Sequence, residues 1–253
     1  MNGDVQLSCS NCKNECSGLS AWKIVRECTE IYGIPEFLNF GVKCPNAGVM
    51  RESENNGVPA IYHDADYSKF NFEVYQKDTT KLKRICDSFF YDFDKWEMRG
   101  KGIYLWSSTP GSGKTLLACC LARSGMIKHN LQMRFITTPD YISLVGDSYK
   151  RERCEEDQSQ IFKECRLLVL DDIGSQKKGD WQEQELFRLI NGRLENGLVT
   201  VYTSNSDPEG LNVGNRSINR IVKSTVSIHM PEESIRRMKA KEETEAFLKD
   251  LGI

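Results

Sequence analysis

The chain has 253 residues, 39% hydrophobic and 28% charged, with 19 glycines and 7 prolines, which excludes disordered, collagenous and low-complexity classes and leaves ample apolar mass for a core. A net charge of -2 excludes nucleic-acid binding through a global basic excess, so any such contact must come from a local patch. The opening residues MNGDVQLSCSNCKN lack a basic run followed by an apolar one, and nowhere do about 18 apolar residues run together, so a cytoplasmic protein without membrane contact is expected.

Residues 1–50 read as a small Cys-rich head. Cys9, Cys12, Cys16, Cys28 and Cys44 all fall here. The spacing Cys9-x2-Cys12-x3-Cys16 puts three thiols within reach of one tetrahedral Zn²⁺, with Cys28 or Cys44 completing the set. Without a second C-x-x-C, reduced free thiols fit the spacing equally well. A helix is expected over Ser20–Tyr32, where Ile24, Val25, Cys28 and Ile31 recur at helical spacing before Gly33 and Pro35. Trp22, Phe37, Leu38 and Phe40 supply apolar bulk for the head's own core or for docking a partner.

Residues 51–57 are polar and read as a linker, and residues 58–253 form the second domain. Helices are expected at 81–96, 114–129, 139–153, 182–195, 217–223 and 232–251. Strands are expected at 102–106, 133–137, 166–170, 199–203 and 226–229. Such alternation predicts an α/β fold, an αβα core with a mainly parallel sheet covered on both faces.

Ser108-Thr-Pro-Gly-Ser-Gly-Lys-Thr115 lies between the strand ending at Trp106 and the helix former Leu116-Leu-Ala-Cys-Cys-Leu-Ala122. It fits the phosphate-loop pattern G-x-x-x-x-G-K-[ST], except that Ser108 replaces the first glycine. Pro110, Gly111, Ser112, Gly113, Lys114, Thr115 and Leu116 are therefore the candidate ATP-binding residues. The glycines let successive N–H groups face phosphate oxygens, Lys114 reaches the β/γ-phosphates and Thr115 gives a hydroxyl to Mg²⁺.

Leu167-Leu-Val-Leu-Asp171-Asp172-Ile-Gly174 is an apolar strand ending in two acids. Strand ends of an open α/β sheet meet at the ligand crevice, so Asp171 is the candidate second ligand of Mg²⁺ and Asp172 the group that polarises the attacking water. A further apolar strand ends in Thr203-Ser204-Asn205, where Asn205 orients that water or senses the γ-phosphate.

Together these motifs resemble the AAA+ ATPases of the DnaC/DnaI helicase-loader and IstB transposition-helper family. The resemblance runs from Val58 to Arg237 and includes Glu185-Leu-Phe-Arg-Leu-Ile-Asn-Gly-Arg193. It implies a P-loop, RecA-like core without a full C-terminal lid domain, since few residues follow Arg237. It implies that Arg220 in Asn219-Arg220-Ile221 is an arginine finger acting on a neighbouring subunit's γ-phosphate, with Arg216 as fallback. An arginine's fixed charge and planar donors suit that task, and a trans finger implies self-association. Ser234-Ile235-Arg236 resembles the family's G-x-S-x-R, making Arg236 a nucleotide contact, with Arg237 as competitor. Glu232 stands in the glycine's place.

The same resemblance implies ATP-dependent loading of a replicative hexameric helicase onto single-stranded DNA at replication initiation, in a bacterium or phage, with the head gripping the helicase. Lys150, Arg151 and Arg153 beside Tyr149 form a candidate phosphate-contacting and base-stacking patch, although Glu152, Glu155, Glu156 and Asp157 suit an ordinary solvated helix end equally. The alternatives are an IstB-like helper of a transposase and a nucleotide-binding switch with little hydrolysis. His63, His129 and His229 form no motif and read as structural or surface residues.

Overall fold

The computed structural model describes residues 6–8, 15–17, 22–31, 34–43, 56–148, 158–176 and 179–250. Cys9, Cys12, Cys44 and the Tyr149–Arg153 patch lie outside the described residues, and so do the side chains of Cys16 and Cys28. The chain divides into two compact units, Met1–Asn55 and Asn56–Ile253.

In the first unit β1 (Gln6–Ser8) pairs antiparallel with β2 (Glu15–Ser17), and β3 (Trp22–Ile31) with β4 (Ile34–Lys43). The expected helix over Ser20–Tyr32 is thus a strand. Ile24, Val25, Thr29 and Ile31 are β-branched and favour extended backbone, and a partner strand follows after only Tyr32 and Gly33, since Ile31 pairs with Ile34. Helical spacing of four apolar residues loses to hairpin pairing.

The second unit opens with three short 3₁₀ turns, at Ala60–Tyr62, Tyr67–Lys69 and Phe72–Val74. Asp66 and Asn71 start the last two by accepting the N–H groups of Ser68 and Glu73. Next come α1 (Thr80–Tyr91) and α2 (Phe93–Glu97), two helices where one was expected. The core then alternates β5 (Gly102–Trp106), α3 (Lys114–His129), β6 (Met133–Thr137), α4 (Thr138–Ser148), α5 (Gln160–Glu164) and β7 (Leu167–Asp171). It continues with α6 (Asp180–Glu195), β8 (Val199–Ser204), α7 (Asn215–Ser224), β9 (Thr225–His229) and α8 (Ile235–Asp250).

All five strands run parallel in the order β6-β7-β8-β5-β9. The expected α/β fold with a parallel sheet is what the core shows. Strand pleating separates two apolar faces. Tyr104, Leu168, Leu170 and Tyr202 pack with Tyr141 of α4, Leu186 and Leu189 of α6 and Ile221 of α7. Ile103, Leu105, Val169 and Val201 alternate with them and are equally buried, and α3 packs against β5, β6, β7 and β8. Its Leu117, Leu121 and Met126 are fully buried.

On α6, Arg193 is 1% exposed. Its guanidinium donates to the carbonyls of Phe162, Cys165 and Val199 and to the Thr200 hydroxyl, at 2.7–2.9 Å. Sequence reading gave Arg193 no role, because nothing in a single chain marks which arginine is buried.

After β5 the chain crosses to the far edge strand β6, and after β8 it crosses back over β5 to β9. Such a reversal opens a crevice beyond the carboxyl ends of the strands. The ends of β5, β7 and β8 carry the three motifs.

Candidate functional site

The loop leaving β5 turns where glycine permits: φ is +80° at Gly111 and +92° at Gly113. A Cβ on Gly113 would press 2.7 Å from the Tyr75 hydroxyl, which donates to the Ser112 carbonyl at 2.7 Å. Gly113 is also the residue from which α3 starts, so the loop ends against a helix N-terminus with its unpaired N–H groups.

Lys114 is only 8% exposed. Its ammonium donates to the carbonyls of Ser107 at 3.1 Å and Thr109 at 3.2 Å and to the Ser112 hydroxyl at 3.2 Å. Burial lowers its pKa from the ordinary lysine value, opposed by the charges of Glu232, Asp172 and Asp171. The cation is held inside its own loop by neutral oxygens, which a phosphate oxygen can replace with a stronger, charge-assisted bond.

Facing it, Asp171 ends β7 and is 8% exposed. Its Oδ1 accepts from the Thr115 hydroxyl at 2.9 Å and the Thr203 hydroxyl at 2.6 Å, and the Thr138 hydroxyl donates to its carbonyl at 3.1 Å. Burial pushes the Asp171 carboxyl above the usual range, the two hydroxyls pull it back, and the Asp172 charge adds to the rise. A buried carboxylate beside a hydroxyl is the donor set that a hard divalent ion such as Mg²⁺ takes.

Asp172 has left-handed backbone, φ +54°, which few residues other than glycine adopt without cost. Its N–H donates to the Thr203 hydroxyl at 2.9 Å, and its Oδ1 accepts from Asn205 Nδ2 at 3.1 Å. Thr203 therefore serves both acids, donating to one and accepting from the other. Sequence reading saw it only as strand end; the signal available was a hydroxyl residue two places before Asn205.

Lys114, Thr115, Asp171, Asp172 and Asn205 thus come together at one end of the sheet. The remaining expected residues divide. The Arg236 N–H donates to the Gly111 carbonyl at 3.2 Å, and burial raises the Tyr62 phenol pKa against the opposing Arg236 charge. Arg237 and Arg216 are exposed. Arg220, half-buried on α7, donates from Nε to Asn191 Oδ1 on α6 at 2.8 Å, a partner outside the cleft.

His63 and His129 bond the carbonyls of Val58 and Phe90, in keeping with structural roles, whereas His229 belongs to the loop's surroundings. Beside Gly113 a cavity of about 180 Å³ is lined by Asp66, Phe70, Tyr75, Leu116, Cys120 and Ile235. Most of that lining comes from residues 64–75, the segment that carries the last two 3₁₀ turns, to which sequence reading assigned no site residue. Among the described residues no helix is long and apolar enough to cross a membrane, and no three acidic, histidine or cysteine side chains cluster as a metal site.

The model of the family described as IstB-like ATP binding protein matches residues 63–212. The replicative helicase loader DnaI of Bacillus subtilis (strain 168) is 28% identical over 114 residues, 45% of this chain and 36% of that protein. The replicative helicase loader DnaC of Escherichia coli (strain K12) is 24% identical over 121 residues, 47% of this chain and 49% of that one. These matches thus span half or less of either relative's length. Among solved structures, a crystal structure of the DnaC helicase loader superposes with a TM-score of 0.60 at 21% identity, covering 68% of this chain and 100% of that one, and shares the fold.

Proposed function

Because the chain belongs to the family of IstB-like ATP-binding proteins, we propose that it hydrolyses ATP in this cleft and uses the cycle to load a replicative helicase onto single-stranded DNA. The observation that carries the reading is the convergence of Lys114, Thr115, Asp171, Asp172 and Asn205 at the strand ends where the sheet order reverses. The Gly111 and Gly113 turn and the start of α3 cradle the phosphates, and Lys114 exchanges its loop carbonyls for a β/γ-phosphate oxygen. Thr115 and Asp171 hold Mg²⁺, which when bound neutralises charge on the transferring phosphoryl.

Asp172 takes the proton of the attacking water, its carboxylate aimed by the left-handed backbone and by Asn205. Arg220 completes a neighbouring subunit's site, a finger presented by α7 and steadied by Asn191, so that turnover requires assembly. Arg236, whose backbone is bonded to the loop at Gly111, contacts the nucleotide and reports its occupancy to α8. The head, with the helicase as its partner, holds one zinc ion on four of Cys9, Cys12, Cys16, Cys28 and Cys44, and the Lys150–Arg153 patch follows single-stranded DNA.

Asp172→Asn should lower turnover by about 10²-fold or more while changing ATP affinity by less than about threefold. Turnover at the wild-type rate would remove Asp172 from the chemistry. The loader role is tested by mixing the purified chain with the replicative helicase of the same organism, with and without ATP, and weighing the species by native mass. A defined ATP-responsive complex supports loading. A transposition helper, implied by the resemblance to IstB, is the second reading, which would show no helicase complex and would assemble on duplex DNA.

A further inference from the structure

Two departures from the family patterns, Ser108 in the phosphate loop and Glu232 ahead of α8, touch each other. The Glu232 carboxylate accepts the Ser108 N–H at 2.9 Å, the Ser108 hydroxyl at 2.8 Å, the Thr109 N–H at 2.7 Å and the Ser107 hydroxyl at 3.0 Å. Its outer oxygen lies 2.7 Å from His229 Nε2, and the His229 ring stacks on Trp106 with centroids 3.9 Å apart. The neighbouring residues continue the seam. The Ser234 hydroxyl donates to the Pro110 carbonyl at 3.0 Å, and Glu233 accepts the N–H groups of Gln76 and Lys77.

We propose that Glu232 is a positioning residue that clamps the first turn of the phosphate loop to the start of α8, that Ser108 is its matched partner, and that the pair sets nucleotide affinity by fixing the loop before nucleotide arrives. The inference rests on the ATP-binding reading above. Four donors from three consecutive residues, two backbone N–H groups and two hydroxyls, saturate one carboxylate, so the loop cannot turn away without stranding a charge.

The Glu232 charge is felt at Lys114, close enough to oppose a triphosphate once its donors are withdrawn. A serine where the pattern has glycine is then no defect. It supplies one of the four donors and stiffens the turn that the carboxylate grips. Restoring glycine at 108 alone leaves the acid under-bonded beside the anion site, whereas restoring glycine at both positions removes donor and charge together.

The test uses the full chain, with binding of a fluorescent ATP analogue in Mg²⁺ as one readout and amide exchange of residues 108–113 without nucleotide as the other. Ser108→Gly should raise the Kd about tenfold, the equivalent of one charge-assisted hydrogen bond, and Glu232→Gln should raise it and speed the exchange. The double variant Ser108→Gly with Glu232→Gln should bind no more weakly than Glu232→Gln alone, a non-additivity that two independent structural losses do not produce.

Ser108→Gly binding as tightly as wild type, or single effects that simply multiply in the double variant, would overturn the pairing. Exchange unchanged in Glu232→Gln would overturn the clamp. Wild type that fails to bind the analogue while exchange still speeds up would sink the ATP reading and leave the clamp standing. Should the glycine variants fail to fold, Ser108→Ala, which removes only the hydroxyl, carries the same comparison with the same expected rise of about tenfold, and no rise rejects the pairing.

Discussion

On the loop side of the cleft, burial raises the Glu232 carboxyl, but bonds from His229, Thr109 and Ser108 outweigh it and hold the group well below the usual carboxylate range. On the acid side, Asp171 is buried with two hydroxyl partners, Thr203 and Thr115, and stays above that range. The two acids differ in what surrounds them: two backbone N–H groups, two serine hydroxyls and His229 surround Glu232, whereas two threonine hydroxyls, a second acid and the buried Lys114 surround Asp171. A carboxylate held by several donors of its own chain stays ionised, whereas a carboxylate that is buried with few donors has its charged form disfavoured. The cleft thus separates the acid proposed to clamp the loop from the acid proposed to bind Mg²⁺.

Breaking the acid side at its shared hydroxyl should have the largest effect on stability. Thr203→Val strands the Asp172 N–H and takes a donor from Asp171 while keeping the shape, so unfolding free energy should fall by about 2 kcal/mol. Urea unfolding checks it. A change under about 0.5 kcal/mol would mean that the remaining Thr115 and Thr138 bonds suffice.

Asp171→Asn sharpens the comparison with a smaller effect of opposite sign. Without metal the variant should be more stable than wild type by about 1 kcal/mol near pH 7, because a neutral amide keeps the hydroxyl bonds and loses the buried charge. Its nucleotide affinity should no longer respond to Mg²⁺. The pH dependence fixes the sign. A folded-state pKa above the ordinary 3.8 means that the folded chain binds this proton more tightly than the unfolded one, so the contribution is fully present below 3.8 and is lost as pH rises through the folded value. The advantage of Asp171→Asn should therefore open above about pH 3.8 and level off once Asp171 is ionised. A gap of the same size at pH 3.5 and pH 7 would show that desolvation of Asp171 is not its source.

Much of the core was legible because it is local. Runs such as Ile103–Trp106 and Leu167–Leu170 can only be strands buried on both faces. The order of loop, acid pair and Thr203-Ser204-Asn205 carried the site, since a glycine turn between strand and helix dictates its own geometry. The head was read wrongly over Ser20–Tyr32, where the hairpin partner 34–43 outweighs helical spacing. The role of Glu232 was illegible because its partners lie more than 120 residues earlier in the chain, and a motif comparison registers only that a glycine is missing.

The sequence by itself determined the alternating α/β core, the phosphate loop and the acids opposite it, because periodicity, turn residues and strand-end polarity act over a few residues at a time. Tertiary structure decided what each acid is for. It brought Thr203 between Asp171 and Asp172, seated Glu232 on the loop and buried Arg193 among carbonyls, because burial and hydrogen-bond supply depend on which distant segments the fold stacks together.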